Sequence, residues 1–279
     1  IERLYAKYLP QPFLSLLIDD CIEKGKDYND GGARYNTSYI QGTGLGTVTD
    51  SLVAIKYHVF DKKDMTMEEL LKACKNNFEG EYEQIRMMLI YRTPKYGNDD
   101  DYADEIAKWL VKTYVEILDG RPNTRGGKYR VNLLPTTVHI YFGKVCGATP
   151  NGRKAGEPVS EGVSPTQGAD THGPTAVIKS VSKWDHAHTG GTLLNMKFSP
   201  QALKSDEDIE KLAYLIKTFF RLGGHHIQFN VVRAETLRDA QRHPEKYRNL
   251  LVRVAGYSDY FVNLSRRLQD EIIARTEHE

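Results

Sequence analysis

With 279 residues, 40% of them hydrophobic and 27% charged, the chain has ordinary globular composition and length enough for one large domain or two modest ones. A formal net charge of +1 gives no electrostatic ground for binding nucleic acid or an anionic membrane, and no apolar run approaches the roughly 20 residues of a membrane span. Three scattered cysteines, Cys21, Cys74 and Cys146, suit neither a disulfide framework nor a thiolate metal site, so a reducing cytoplasm is the expected compartment. The opening residues Ile1-Glu2-Arg3-Leu4 read as the middle of a helix, without an initiator methionine or a signal-peptide pattern. They are expected to have been cut from something longer.

In chain order, an amphipathic helix is predicted over Gln11 to Glu23, opened by prolines and closed by Gly25. Ser38 to Thr43 reads as a short strand, followed by a glycine turn and a helix from about Thr47 to Phe60. Thr66-Met-Glu-Glu69 is a capping box that opens a helix to about Phe78. A long helix starts at Asp99 and stops at Gly120. The glycine- and proline-rich middle that follows, Gly120 to Gly173, holds one strand-like run, Thr136 to Phe142. Thr192 to Phe198 and Ile227 to Val232 have strand length and apolar content, with a helix from Asp206 to Leu222 between them. Val252 to Ala255 leads into a turn at Gly256, and Ser265 to Arg275 forms the last helix. Helices alternating with strands predict an α/β architecture.

Several patterns that suggest ligands have simpler readings. Gly42-Thr-Gly44-Leu-Gly46 lacks both dinucleotide and P-loop spacing and reads as a tight strand-to-helix turn. His186-x-His188 and His225-His226 lack a third ligand at metal spacing, and Asn98-Asp99-Asp100-Asp101 reads as a helix N-terminus. No metal site is predicted. Nothing matches a G-x-S-x-G nucleophile elbow. Asn195 and His226-Ile-Gln228 fall on predicted strands, where their polar side chains read as structural hydrogen-bonding groups.

The most informative run is Arg253-Val-Ala-Gly256-Tyr257, close to the C-terminus. Glycine has no side chain. Its α-carbon can therefore flatten into a planar radical, stabilised by the amide nitrogen on one side and the carbonyl on the other. The run resembles the radical-bearing signature of glycyl radical enzymes, and other segments extend the resemblance over essentially the whole chain. They include Asp19 to Tyr28, Gly31 to Asn36, Tyr39 to Gly46, Thr93 to Tyr102, Leu134 to Thr137 and Ala148 to Arg153. Further on come Gly173 to Ser180, Gly190 to Asn195, Gly224 to Asn230, Leu268 to Ile273 and Arg275 to Glu277.

The resemblance, nearest to the dehydratase branch, implies a ten-stranded α/β barrel in which a glycine loop meets a cysteine loop. Residues 1–155 would belong to the barrel and residues 156–279 to the glycine radical domain. Gly256 would carry the radical, with no bound cofactor, after a radical S-adenosylmethionine activating enzyme removes an α-hydrogen. Arg253 and Tyr257 would position the loop, with ordinary packing as the alternative, and Thr136 would either lie beside a small-molecule substrate or pack at a strand end. A homodimer is the assembly implied.

One departure is decisive. The family's Cys-x-Glu loop, with its thiyl cysteine and acid–base glutamate, has no counterpart here. Cys21-Ile-Glu23 has that spacing by coincidence, on a helix in a region that resembles one downstream of the true loop. The chain is therefore expected to be the C-terminal third of a longer or two-part enzyme, able to store a radical but not to complete turnover alone.

Overall fold

A computed structural model describes residues 1–279. Seven short strands are threaded among helices: β1 (Thr37–Gln41), β2 (Lys128–Asn132), β3 (Leu194–Phe198), β4 (Ile227–Val231), β5 (Leu251–Arg253), β6 (Ser258–Tyr260) and β7 (Glu277–His278). β1 pairs with β2 and β3 pairs with β4, both in parallel. The two pairs are joined where Leu133 bridges Thr192 in parallel, with Gly190 N–H donating to the Val131 carbonyl and Leu133 N–H to that of Gly191. The result is a parallel run of four strands whose connections carry the helices. β7 adds to the C-terminal half of β3, and β5–β6 is a separate antiparallel hairpin. The mixed α/β class agrees with the sequence reading, but these residues close no barrel.

The two faces of β3–β4 explain where the site lies. Leu194, Met196 and Phe198 on β3, with Ile227 and Phe229 on β4, belong to the largest core, which also takes in Val177, Ile178 and Phe219 from the covering helices. All five β3 residues are buried, as expected of a parallel strand covered on both sides. Alternation puts Asn195 and Lys197 of β3, in register with Gln228 and Asn230 of β4, on the opposite face. The glycine hairpin sits over that polar face. Beneath it a second core gathers Val252, Val254, Ala255, Phe261, Leu268 and Ile272.

Several helix ends follow their predicted chemistry. The Thr66–Glu69 capping box opens helix Met67–Lys75, and Asp100 caps helix Asp101–Leu118 through the Tyr102 N–H at 2.9 Å. Ser205 and Asp208 form a further capping box at the start of helix Asp206–Arg221. The Gly42–Gly46 run is the turn between β1 and helix Leu45–Ala54, as expected. The final helix spans Arg266–Ala274.

Elsewhere the sequence reading is corrected. The helix expected over Gln11 to Glu23 is two short pieces, Pro12–Leu17 and Cys21–Lys24, broken where Ile18 is extended and Asp20 is left-handed at φ 76°. Asp27 lies beyond the break and holds the first piece. Its carboxylate accepts from Gln11 N–H and Ser15 Oγ, both at 2.8 Å, and ties the first piece to the following loop. Thr136 to Phe142 is not a strand, because helix Val138–Val145 occupies that run. Periodicity cannot separate a helix from a strand over so short an apolar segment. The strand of this region is β2, whose sequence Lys-Tyr-Arg-Val-Asn is too polar to announce itself. Cys146 follows the end of this helix as its C-cap. Helices Glu83–Tyr91, Pro174–Val181 and Ala234–Arg242 were not predicted from periodicity.

Candidate radical site

The β5–β6 hairpin closes through Val254, Ala255, Gly256 and Tyr257, with the Val254 N–H donating to the Tyr257 carbonyl at 2.8 Å. Gly256 has φ 77°, the positive value that type II turns demand at their third position. Val254 and Ala255 are buried and anchor the turn in the second core, whereas Gly256 is exposed at the tip. A Cβ built on Gly256 would meet no heavy atom within 4 Å. One face of its α-carbon is thus open, and the other end of its peptide is held.

What holds it is the polar face of β3–β4. Asn230 brackets Arg253 like an extra strand: its side-chain oxygen accepts the Arg253 N–H and its amide donates to the Arg253 carbonyl, both at 2.8 Å. Gln228 Oε1 accepts from Arg253 Nε at 2.9 Å and from the Gly256 N–H at 3.1 Å. Gln228 Nε2 donates to Asn195 Oδ1 and more weakly to the Val254 carbonyl. Burial and the nearby Arg253 cation push the His226 imidazole below its usual range.

A buried charge cluster supports the hairpin from the last helix. Arg275 grips Glu271 with two hydrogen bonds, Nε to Oε1 at 3.1 Å and Nη2 to Oε2 at 2.9 Å, and Nη2 also donates to the Val254 carbonyl at 3.2 Å. Burial alone would raise the Glu271 carboxyl, but the Arg275 guanidinium and then His139 outweigh it and hold it well below the usual carboxylate range. Glu161, also buried nearby, is pushed up by desolvation, with Arg275 only partly offsetting this. Lys197, 1% exposed, reaches across to donate to the Ile273 carbonyl at 2.8 Å and caps the same helix. Burial pushes its ammonium down to about 8.

The candidate residues therefore separate. Gly256 and Arg253 share one hydrogen-bonded unit, and Tyr257 closes the turn through its backbone and is 41% exposed as a residue. Thr136 is exposed and makes no hydrogen bond to the hairpin, although its neighbours Leu134 and Ile140 pack against the core beneath it. Its φ of 48° is unusual for a β-branched residue and costs about 1–3 kcal/mol. Thr136→Asn, better suited to that conformation, is expected to raise stability by about 1 kcal/mol in urea unfolding. A loss of stability would contradict the strain.

Gln228 makes the structural hydrogen bonds expected of it, and Asn230, not singled out from sequence, joins it. The signal was there as polar residues at every second position of an otherwise apolar strand, which reads as a buried face with a partner. The other histidines keep their structural reading. His186 is buried and stacked 3.9 Å from Trp184, with its ring nitrogens 3.0 Å from Thr192 Oγ1 and 2.8 Å from the Val181 carbonyl. Cys21 is buried, and its sulfur packs near Gly32. A cleft of about 870 Å³ is lined by residues such as Arg86, Lys95, Asn98, Arg153 and His172 and includes none of the candidate residues.

A pyruvate formate lyase-like family model matches residues 1–143, and a glycine radical model matches residues 159–262. Trans-4-hydroxy-L-proline dehydratase of Clostridioides difficile is 59% identical over 277 residues, covering 99% of this chain and 35% of that protein. The crystal structure of hydroxyproline dehydratase from Clostridioides difficile with trans-4-hydroxy-L-proline bound matches with a TM-score of 0.95 at 58% identity, over 99% of this chain and 35% of that one. The glycerol-bound form of the B12-independent glycerol dehydratase from Clostridium butyricum matches with a TM-score of 0.93 at 46% identity, again over 99% and 35%. The chain thus spans about a third of the length of these relatives. By these matches the chain belongs to the pyruvate formate lyase-like family of glycyl radical enzymes.

Proposed function

We propose that these residues are the radical-storing C-terminal portion of a glycyl radical dehydratase, a carbon–oxygen lyase acting on trans-4-hydroxy-L-proline. The observation that carries the reading is the near-complete match of this chain to the Clostridioides difficile hydroxyproline dehydratase. In this account Gly256 stores the radical, installed by a radical S-adenosylmethionine activating enzyme. Arg253 and Tyr257 set the hairpin's shape, and Thr136 lies beside the substrate. The remainder of the protein supplies the thiyl cysteine and the acid–base glutamate. The cysteine takes a hydrogen atom from the substrate, and the glutamate handles the proton as water leaves, lowering the barrier to expelling hydroxide. The cysteine then returns the hydrogen atom to the dehydrated product radical, and the product is a cyclic imino acid.

Residues 1–155 then form part of a ten-stranded α/β barrel and residues 156–279 the glycine radical domain. The four-strand parallel run would be a sector of that barrel, and the largest core draws on both segments. Exposed apolar side chains support a covering partner surface. Helix Pro12–Leu17 buries none of its residues, and Phe13, Leu16 and Leu17 are 75%, 64% and 67% exposed. No helix here is long and apolar enough to cross a membrane. A cytoplasmic homodimer is the setting proposed.

The test uses the full-length protein, activated anaerobically and offered trans-4-hydroxy-L-proline, glycerol, propane-1,2-diol and choline in turn. Conversion of hydroxyproline to the cyclic imino acid is expected. Untouched hydroxyproline alongside consumption of one of the others would replace this reading with the glycerol, propanediol or choline lyase alternative. Absence of turnover with all four, despite a stored radical, would favour a spare-part subunit that lends its radical domain to another enzyme.

A further inference from the structure

We propose that Gln228 is the positioning residue that tunes the Gly256 radical, through the hydrogen bond its side-chain oxygen accepts from the Gly256 N–H. This rests on the reading of Gly256 as the radical carrier. Activation breaks one α C–H bond of Gly256, and the hydrogen atom passes intact to the carbon-centred radical delivered by the activating enzyme. The unpaired electron left on the α-carbon is stabilised as far as the amide nitrogen donates into the half-filled orbital and the carbonyl withdraws from it. An acceptor on the N–H pulls the proton outward and leaves the nitrogen more electron-rich. Both the strength and the direction of that hydrogen bond therefore bear on how easily the radical forms and how long it lasts.

The geometry fixes that acceptor firmly. Arg253 Nε can only donate, so the Gln228 atom 2.9 Å from it must be the oxygen, and the same oxygen lies 3.1 Å from the Gly256 nitrogen. The other end of the amide is committed to Asn195 Oδ1 and the Val254 carbonyl, so the group cannot turn over without losing partners. Gln228 is 5% exposed on β4, and β4 is paired with β3, so the oxygen rides on sheet rather than on loop. Val254 and Ala255 anchor the turn in the core, and at its exposed tip this contact is the hydrogen bond that the Gly256 N–H makes.

The experiment compares full-length wild type, Gln228→Met and Gln228→Glu after anaerobic activation, each labelled with [15N]glycine. Spins per chain and their decay are read by electron paramagnetic resonance, and the Gly256 15N coupling by electron–nuclear double resonance. Methionine conserves volume but accepts only weakly. A several-fold fall in spin content or lifetime is expected, about fivefold for the loss of one ordinary hydrogen bond, together with a changed 15N coupling. Glutamate keeps an acceptor in place and strengthens it by charge. Asn195 can turn its amide to present Nδ2, which has no partner, to that carboxylate. Gln228→Glu is therefore expected to retain at least the wild-type spin content and to shift the coupling the opposite way.

Wild-type spin content, lifetime and coupling in Gln228→Met would overturn the proposal. So would a Gln228→Glu protein with the wild-type coupling or without a radical, a result that would reduce Gln228 to packing. A wild type that never forms the doublet would instead overturn the radical reading of Gly256 itself.

Discussion

In the full-length protein, Gly256→Ala is expected to abolish the proposed turnover while leaving the fold intact. The two halves of that statement have different causes. At φ 77° an alanine is strained by about 1 kcal/mol, which is too little to unfold a domain of this size. Its methyl group also meets no heavy atom within 4 Å, so no clash is added. The loss is chemical. A planar radical at an alanine α-carbon would press the methyl group against the flanking peptide groups, and those peptide groups would lose the coplanarity that stabilises the unpaired electron. Circular dichroism and the urea midpoint should stay near wild type while product formation falls to background. Retained turnover would remove Gly256 from the mechanism.

Arg275→Met is expected to produce the largest loss of stability of any single substitution near the site, about 3–5 kcal/mol. Arg275 and Glu271 are 7% and 2% exposed, and removing the guanidinium leaves Glu271 buried without its counter-charge. The Val254 carbonyl also loses its Arg275 donor, which loosens the turn that carries Gly256. The folded Glu271 carboxyl sits below its ordinary value of 4.5. Its contribution to stability is therefore complete above the unfolded value and is lost only as pH falls through the depressed one. The deficit of Arg275→Met should accordingly be full at neutral pH and should shrink in strong acid. The double variant Arg275→Met with Glu271→Met removes both charges and should recover much of the stability, since buried pairs are often replaceable by apolar side chains. Urea unfolding of the single and double variants measures this. A single variant within about 1 kcal/mol of wild type would contradict the assigned role.

Much of this arrangement is written locally in the sequence. Glycine at position 256 is the only residue type that can both take the positive φ without strain and form the planar radical, so the site's centre is legible from one short run. The capping boxes at Thr66 and Ser205 likewise fix helix starts with nearby residues alone. The hairpin's supports are not local. Gln228 lies 28 residues before Gly256 and Asn195 33 before Gln228, and only the register of β3 with β4 aligns them. The Glu271–Arg275 spacing suggests an exposed helical pair, and nothing in the sequence says that it is buried beneath the turn. Helix Val138–Val145 replaces the strand expected over Thr136 to Phe142 for a related reason: a short apolar run takes its conformation from what it packs against, and Ile140 packs on the core under the hairpin. Asp27 reaching back to Gln11 and Ser15 across the break at Asp20 is likewise a tertiary contact that the amphipathic pattern does not show.

The central claim is that Gly256 holds the stored radical. Electron paramagnetic resonance of the anaerobically activated full-length protein tests it most directly. A doublet from one remaining α-hydrogen is predicted; it should collapse when the protein is made with α-deuterated glycine and be missing in Gly256→Ala. A doublet that survives in Gly256→Ala would contradict the claim.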